Sequence, residues 1–248
     1  LRVHDSLLVF AALLSAAHAE TVSIAPIRDA TLLESASGSV ASGSGPALFV
    51  GANGAGTLRR PLLAFDLTAA LPEGAIVDSV SLRLTVSTVS SAISTDVHVH
   101  RVLADWGEGA SASGGGSGAP AESSDATWLH TFFPDSFWAK AGGDFDATTL
   151  ATASIADIGT YAWSDSSLTA DVQRWLDDPS ANFGWLLTGD EATANSAKRI
   201  DSRDAPDALA HPELVVVFHG TSALAPSTWS RTKARYGAAD GSRVRGVR

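Results

Sequence analysis

From Val80 to Val86 the sequence alternates without a break, with apolar Val80, Leu82, Leu84 and Val86 separated by Ser81, Arg83 and Thr85 and followed by Ser87. Successive side chains of an extended strand point to opposite faces, so this segment sets one face on a core and the other in water. Residues 61–67, 75–87, 96–103, 184–188 and 212–219 share strand character, being β-branched, alternating or apolar and bounded by Gly, Pro, Asp or Asn. The runs PLLAFDL (61–67) and LVVVF (214–218) are more continuous, as expected of strands covered on both sides.

One helix is expected among these strands. Leu168, Val172, Trp175 and Leu176 share a single face, with Thr169 placed to cap the first turn and Asp171 near the positive end of the dipole. Pro179 ends it. One short helix in a strand-rich chain fits a lid on a sandwich and not alternating βαβ units. The stretches 35–46 and 107–126 are rich in Gly and Ser and read as mobile loops inside one domain, residues 20–220. The fold class is therefore all-β, an antiparallel sandwich with one short helix.

The chain contains no cysteine, so stability must come from core burial, aided by a bound ion if one is present. Residues 1–19 read as a signal peptide. Arg2 precedes the apolar run Leu7–Ala17, and Ala17-His18-Ala19 offers small residues for cleavage before Glu20, so the protein is expected to be secreted. That run is shorter than the roughly 20 residues of a membrane span, and no other apolar stretch is long enough. The formal charge is −10, yet the segment 227–248 carries six Lys or Arg against Asp240 alone. The remaining body is strongly acidic, which argues against nucleic-acid binding, where Lys and Arg neutralise phosphates. Residues 221–248 read as a basic flexible tail, whose segment 227–236 could dock on another protein.

DATLL (29–33), residues 59–86, RVLADWGEG (101–109), ATW (126–128), AGGDFD (141–146), VQRWLDDPSANFGWLL (172–187), SRD (202–204) and HPELVVVF (211–218) follow one another in an order that resembles the DNRLRE domain. That domain is grouped with carbohydrate-binding module family 96. The resemblance spans roughly 28–219. It implies a jelly-roll-like β-sandwich, extracellular and often attached to polysaccharide-degrading enzymes or cell-surface proteins, with alginate bound by some relatives. The chain departs from the pattern in its long Gly/Ser insertion after Gly109 and in the segment 163–169.

Sugar rings stack on flat side chains, which makes Trp128 and Trp138, beside Phe132, Phe133 and Pro134, the candidate stacking surface. Trp175, Trp185 and Trp163 read as core. Arg60 and Arg203 are candidate carboxylate binders through the planar guanidinium fork, or else partners of Asp66 and Asp204. Asp144 and Asp146 follow two glycines and are candidate Ca2+ ligands, or else turn-stabilising side chains. His98 and His100 alternate on one strand and read as solvent-facing, with no third ligand evident for a transition metal. No GxSxG, HExxH or P-loop motif is present. These features favour a non-catalytic module binding an extracellular polysaccharide. A structural or adhesive surface protein, and a polysaccharide lyase or hydrolase, are the other readings.

Overall fold

Pairing in the computed structural model, which describes residues 18–220, follows the alternation closely. A first sheet contains β1 (Glu20–Ile24), β4 (Ala47–Ala52), β6 (Ile76–Val89), β12 (Gly159–Trp163), β14 (Lys198–Asp201) and β15 (Glu213–His219). A second contains β2 (Arg28–Leu33), β5 (Leu58–Ala64), β7 (Thr95–Arg101), β11 (Ala151–Ile155) and β13 (Trp185–Thr188). All pairings are antiparallel. The two sheets are continuous at β4, which pairs with β14 through Ala47–Val50 and with β5 through Gly51–Ala52. Gly51 takes φ +104° at that corner, a conformation that side-chain-bearing residues rarely adopt.

The main core lies between the sheets. Val80, Leu82, Leu84 and Val86 of β6 meet Leu63, Val97, Val99 and Leu187 of the second sheet, all at most 3 % exposed. Helix α1 (Ser166–Asp177) adds Leu168, Val172 and Trp175 to the same cluster. Its N-cap is Asp165 and not Thr169. The Asp165 carboxylate accepts the Ser167 N–H at 2.7 Å, while the Thr169 hydroxyl only reaches back to the Asp165 carbonyl. Pro179 lies just past the helix and opens a 3-10 turn, Pro179–Ala181.

A second apolar cluster covers the outer face of the second sheet. Ala30, Leu32, Leu62, Ala64 and Leu186 face Val102, Trp106, Ala126, Trp128 and Trp138 from the long connection between β7 and β11. This explains the continuous apolar run in β5, where Leu63 faces one cluster and Leu62 the other. β15 differs from expectation. Leu214, Val216 and Phe218 point inward, but Val215 and Val217 are only half-covered on the outer face.

The Gly/Ser stretches, expected to be mobile loops, are laid against each other and against the sheet. β3 (Val40–Ala41) pairs with β8 (Ala119–Pro120), and the N–H groups of Gly43 and Ser44 both donate to the Ser111 carbonyl at 2.9 and 3.0 Å. Arg59 Nε donates to the Gly116 carbonyl at 2.7 Å. A short ribbon, β9 (His130–Phe132) with β10 (Ser136–Phe137), completes the layer. Residues 18–220 form one compact unit with two clusters sharing the same strands. No helix among the described residues is long and apolar enough to cross a membrane. The expected signal sequence, apart from His18 and Ala19, and the basic tail 221–248 with its docking segment lie outside the described residues.

Candidate functional site

Trp128, Trp138 and Arg60 do come together, but as interior support. Trp128 is 8 % exposed and Trp138 5 %, both within the second cluster, and Trp138 Nε1 donates to the Thr127 carbonyl at 2.9 Å. Neither can serve as an open stacking platform, because the β7–β11 connection folds over the sheet and encloses them. Arg60 lies 5.0 Å from the Trp128 ring centroid, with Nε and Nη2 donating to Glu191 at 2.7 and 2.8 Å and Nη1 to the Gly142 carbonyl. Its fork is therefore engaged within the protein, and its acidic partner is Glu191, not Asp66. A partly buried ion pair of this kind needs such additional hydrogen bonds to offset desolvation.

Asp144 and Asp146 serve turns and do not converge on a metal position. Asp144 accepts the N–H groups of Ala139 and Lys140 at 2.7 and 2.9 Å. Asp146 accepts the Thr148 N–H at 2.9 Å, and the hydrogen bonds from Thr148 hold its carboxyl below the usual range. His100, expected in solvent, is buried. Its Nδ1 faces the carbonyls of Asp146 and Thr148, and Nε2 faces the Thr188 hydroxyl at 3.1 Å, so Nδ1 carries the proton of a neutral ring. His98 meets Thr152 instead.

Burial holds the His100 pKa below its ordinary 6.5, more than the facing carbonyls raise it. Above that value both folded and unfolded chains keep the ring neutral. As the pH falls below about 6.5 the unfolded chain takes up a proton that the folded ring refuses, so stability is lost, by at most about 1.4 kcal/mol per pH unit. Thermal unfolding of wild type and His100→Gln between pH 7.5 and 5 should show a steeper decline in wild type. Parallel declines would refute the assignment.

The acids that do converge are Asp29, Glu108 and Asp204, each offering an oxygen within 4.8 Å of the others. Asp29 stands at the start of β2 and is fully buried, Glu108 lies in the irregular β7–β11 connection just after Trp106 and Gly107, and Asp204 follows β14. Glu108 Oε1 accepts the Asp29 N–H at 2.8 Å, and Asp29 Oδ2 accepts the Arg203 N–H at 2.8 Å. Arg203 Nη1 donates to Glu108 Oε1 and Oε2 and to the Ile27 carbonyl. Its partner is thus Glu108, not the adjacent Asp204. Asp29 Oδ1 is buried and accepts no hydrogen bond. Burial pushes the Asp29 carboxyl up to about 7, the Arg203 N–H opposes this, and the charges of Glu108 and Asp204 add to it. This acidic triad could hold a metal ion. Each acid lies in one of the sequence blocks DATLL, RVLADWGEG and SRD, which was the available signal.

A second feature is a groove of about 470 Å³ on the outer face of the first sheet. Ser23 of β1, Arg83 and Thr85 of β6, Thr160 of β12 and Glu213 of β15 line it, with Leu209 and His211 forming a wall. Arg83 and Glu213 pair at 3.4 Å with side chains 51 % and 37 % exposed, and Leu209 is 96 % exposed. No protein-family model matches the chain, and no curated protein matches it either.

Proposed function

We propose that the chain is a secreted, non-catalytic binding module that takes an extracellular polysaccharide on the open face of its first sheet. The groove carrying Arg83, Thr85, Thr160, Ser23 and Glu213 supports this most directly, since it presents hydroxyls and one charge of each sign to solvent. The outer face of the second sheet is closed by the β7–β11 layer, which leaves the first sheet as the open face. All six tryptophans among the described residues are buried, so recognition rests on hydrogen bonds and on the Arg83 fork rather than on indole stacking. Glu213 is the one carboxylate in the groove lining, whereas glycoside hydrolysis needs two facing each other. The ordered blocks resembling the DNRLRE domain and the expected signal sequence point the same way. Ca2+ is the structural cofactor belonging to this reading, as it is abundant outside cells and prefers oxygen ligands.

Polar recognition without stacking should give dissociation constants between about 10 μM and 1 mM, or roughly −7 to −4 kcal/mol. Affinity-gel electrophoresis and glycan arrays test it with wild type and Arg83→Ala. The substitution should weaken retention at least about tenfold, the loss of one charge-assisted contact. It should barely move the melting temperature, because an exposed pair contributes about 0–1 kcal/mol to stability. Folded wild type that binds no polysaccharide in the presence of Ca2+ would refute the reading.

A further inference from the structure

We propose that Asp29, Glu108 and Asp204 hold one Ca2+ ion that fastens the β7–β11 layer to the sandwich. This rests on the calcium part of the functional reading and is independent of its polysaccharide part. The three acids belong to three different parts of the fold: Asp29 to the second sheet, Glu108 to the covering layer, and Asp204 to the turn between β14 and β15. An ion shared among them ties together residues 29, 108 and 204 in a chain without cysteine, where no disulfide can do so.

The chemistry of the donors selects the ion. All three are carboxylates, hard oxygen ligands suited to Ca2+ and unlike the imidazole and thiolate sets that select zinc or copper. Oxygens bound to Ca2+ at 2.3–2.6 Å lie within about 5 Å of one another, and the 4.8 Å spread of the triad falls inside that limit. Arg203 is the cation already paired within the cluster, and a divalent ion would offset the two further negative charges that the three carboxylates carry when all are ionised. An arginine-held acid cluster alone would not account for Asp29 Oδ1. That oxygen is fully buried without a donor, an arrangement that is ordinarily destabilising, and a cation would satisfy it. Main-chain oxygens and water can supply the remaining positions that Ca2+ requires.

Thermal unfolding of the full chain, stripped with EDTA and then given 10 mM CaCl2, MgCl2 or NaCl at matched ionic strength, tests the proposal. At an affinity of about 10⁻⁴–10⁻³ M, Ca2+ should raise the melting temperature by about 3–10 °C. NaCl should have no such effect. Ca2+ should also slow proteolytic cleavage within residues 107–126 by about 10–100-fold, since ion binding depletes the opened state by that factor. Asp29→Asn keeps the size of the side chain and an acceptor for the Arg203 N–H, and should abolish both effects while remaining folded. Asp204→Asn, at an exposed position, should abolish them too and decides the matter if the first variant does not fold. Asp144→Asn should retain them. Wild type with no Ca2+-specific shift, or folded Asp29→Asn and Asp204→Asn with the full shift, would overturn the site. No arm contains a polysaccharide, so either result leaves the Arg83 test intact.

Discussion

Asp171→Ala is expected to lower the unfolding free energy by about 3–5 kcal/mol, the loss typical when one member of a buried ion pair is removed. Asp171 lies mid-helix in α1 and is completely buried, where a lone carboxylate would be untenable. Arg101, from β7, resolves this: its Nε donates to Asp171 Oδ1 at 2.8 Å and Oδ2 at 3.0 Å, and its Nη2 also donates to Oδ1. Trp185 Nε1 donates to Oδ2 at 3.3 Å. Truncation strands a guanidinium whose side chain is only 19 % exposed and an indole N–H with no other acceptor. The double change Arg101→Met with Asp171→Leu should recover much of the loss, because replacing both charges with apolar groups removes the desolvation cost along with the attraction. Urea unfolding of the two single variants and the double variant measures this as a coupling energy. A loss below about 1 kcal/mol for Asp171→Ala would mean that the pair behaves like an exposed one.

Asp171 also shows what local reading misses. Its place in the sequence suggested a side chain near the helix dipole, and nothing in residues 166–177 announces Arg101, seventy positions earlier. Periodicity is local information, and it was reliable where one neighbour decided the outcome: the inward row Val80, Leu82, Leu84 and Val86, and the face Leu168, Val172 and Trp175. It was ambiguous for continuous runs. β5 and β15 look alike in sequence, yet only β5 is covered on both faces, because the connection that covers it comes from residues 102–145. The same folding-over decided the fate of Trp128 and Trp138, whose loop-like flanks suggested exposure. The acidic triad draws on residues 29, 108 and 204, and such separations leave no spacing to read. Asp144 and Asp146 had a readable spacing, and it belonged to turns.

Gly43→Ala is expected to cost about 3 kcal/mol or more and to eliminate the Ca2+ response, although it adds one methyl group to a stretch that composition alone marks as a flexible loop. A Cβ on Gly43 would stand 1.7 Å from the Glu108 carbonyl oxygen and 2.7 Å from its carbon. Both are main-chain atoms, which cannot step aside as a side chain tip can. Gly43 is also fixed by its N–H bond to the Ser111 carbonyl at 2.9 Å. Relief therefore has to move the peptide of Glu108, and with it a carboxylate of the triad. Gly114 and Gly115, within the same Gly/Ser composition, have nothing within 4 Å of the position a methyl group would take, and alanine there should change stability by no more than about 0.5 kcal/mol. Comparing Gly43→Ala with Gly114→Ala by thermal unfolding with and without Ca2+ separates backbone contact from loop composition. Indistinguishable behaviour of the two variants would mean that the 35–46 and 107–126 segments do not pack against each other in solution, and that Glu108 is not held in place by that contact.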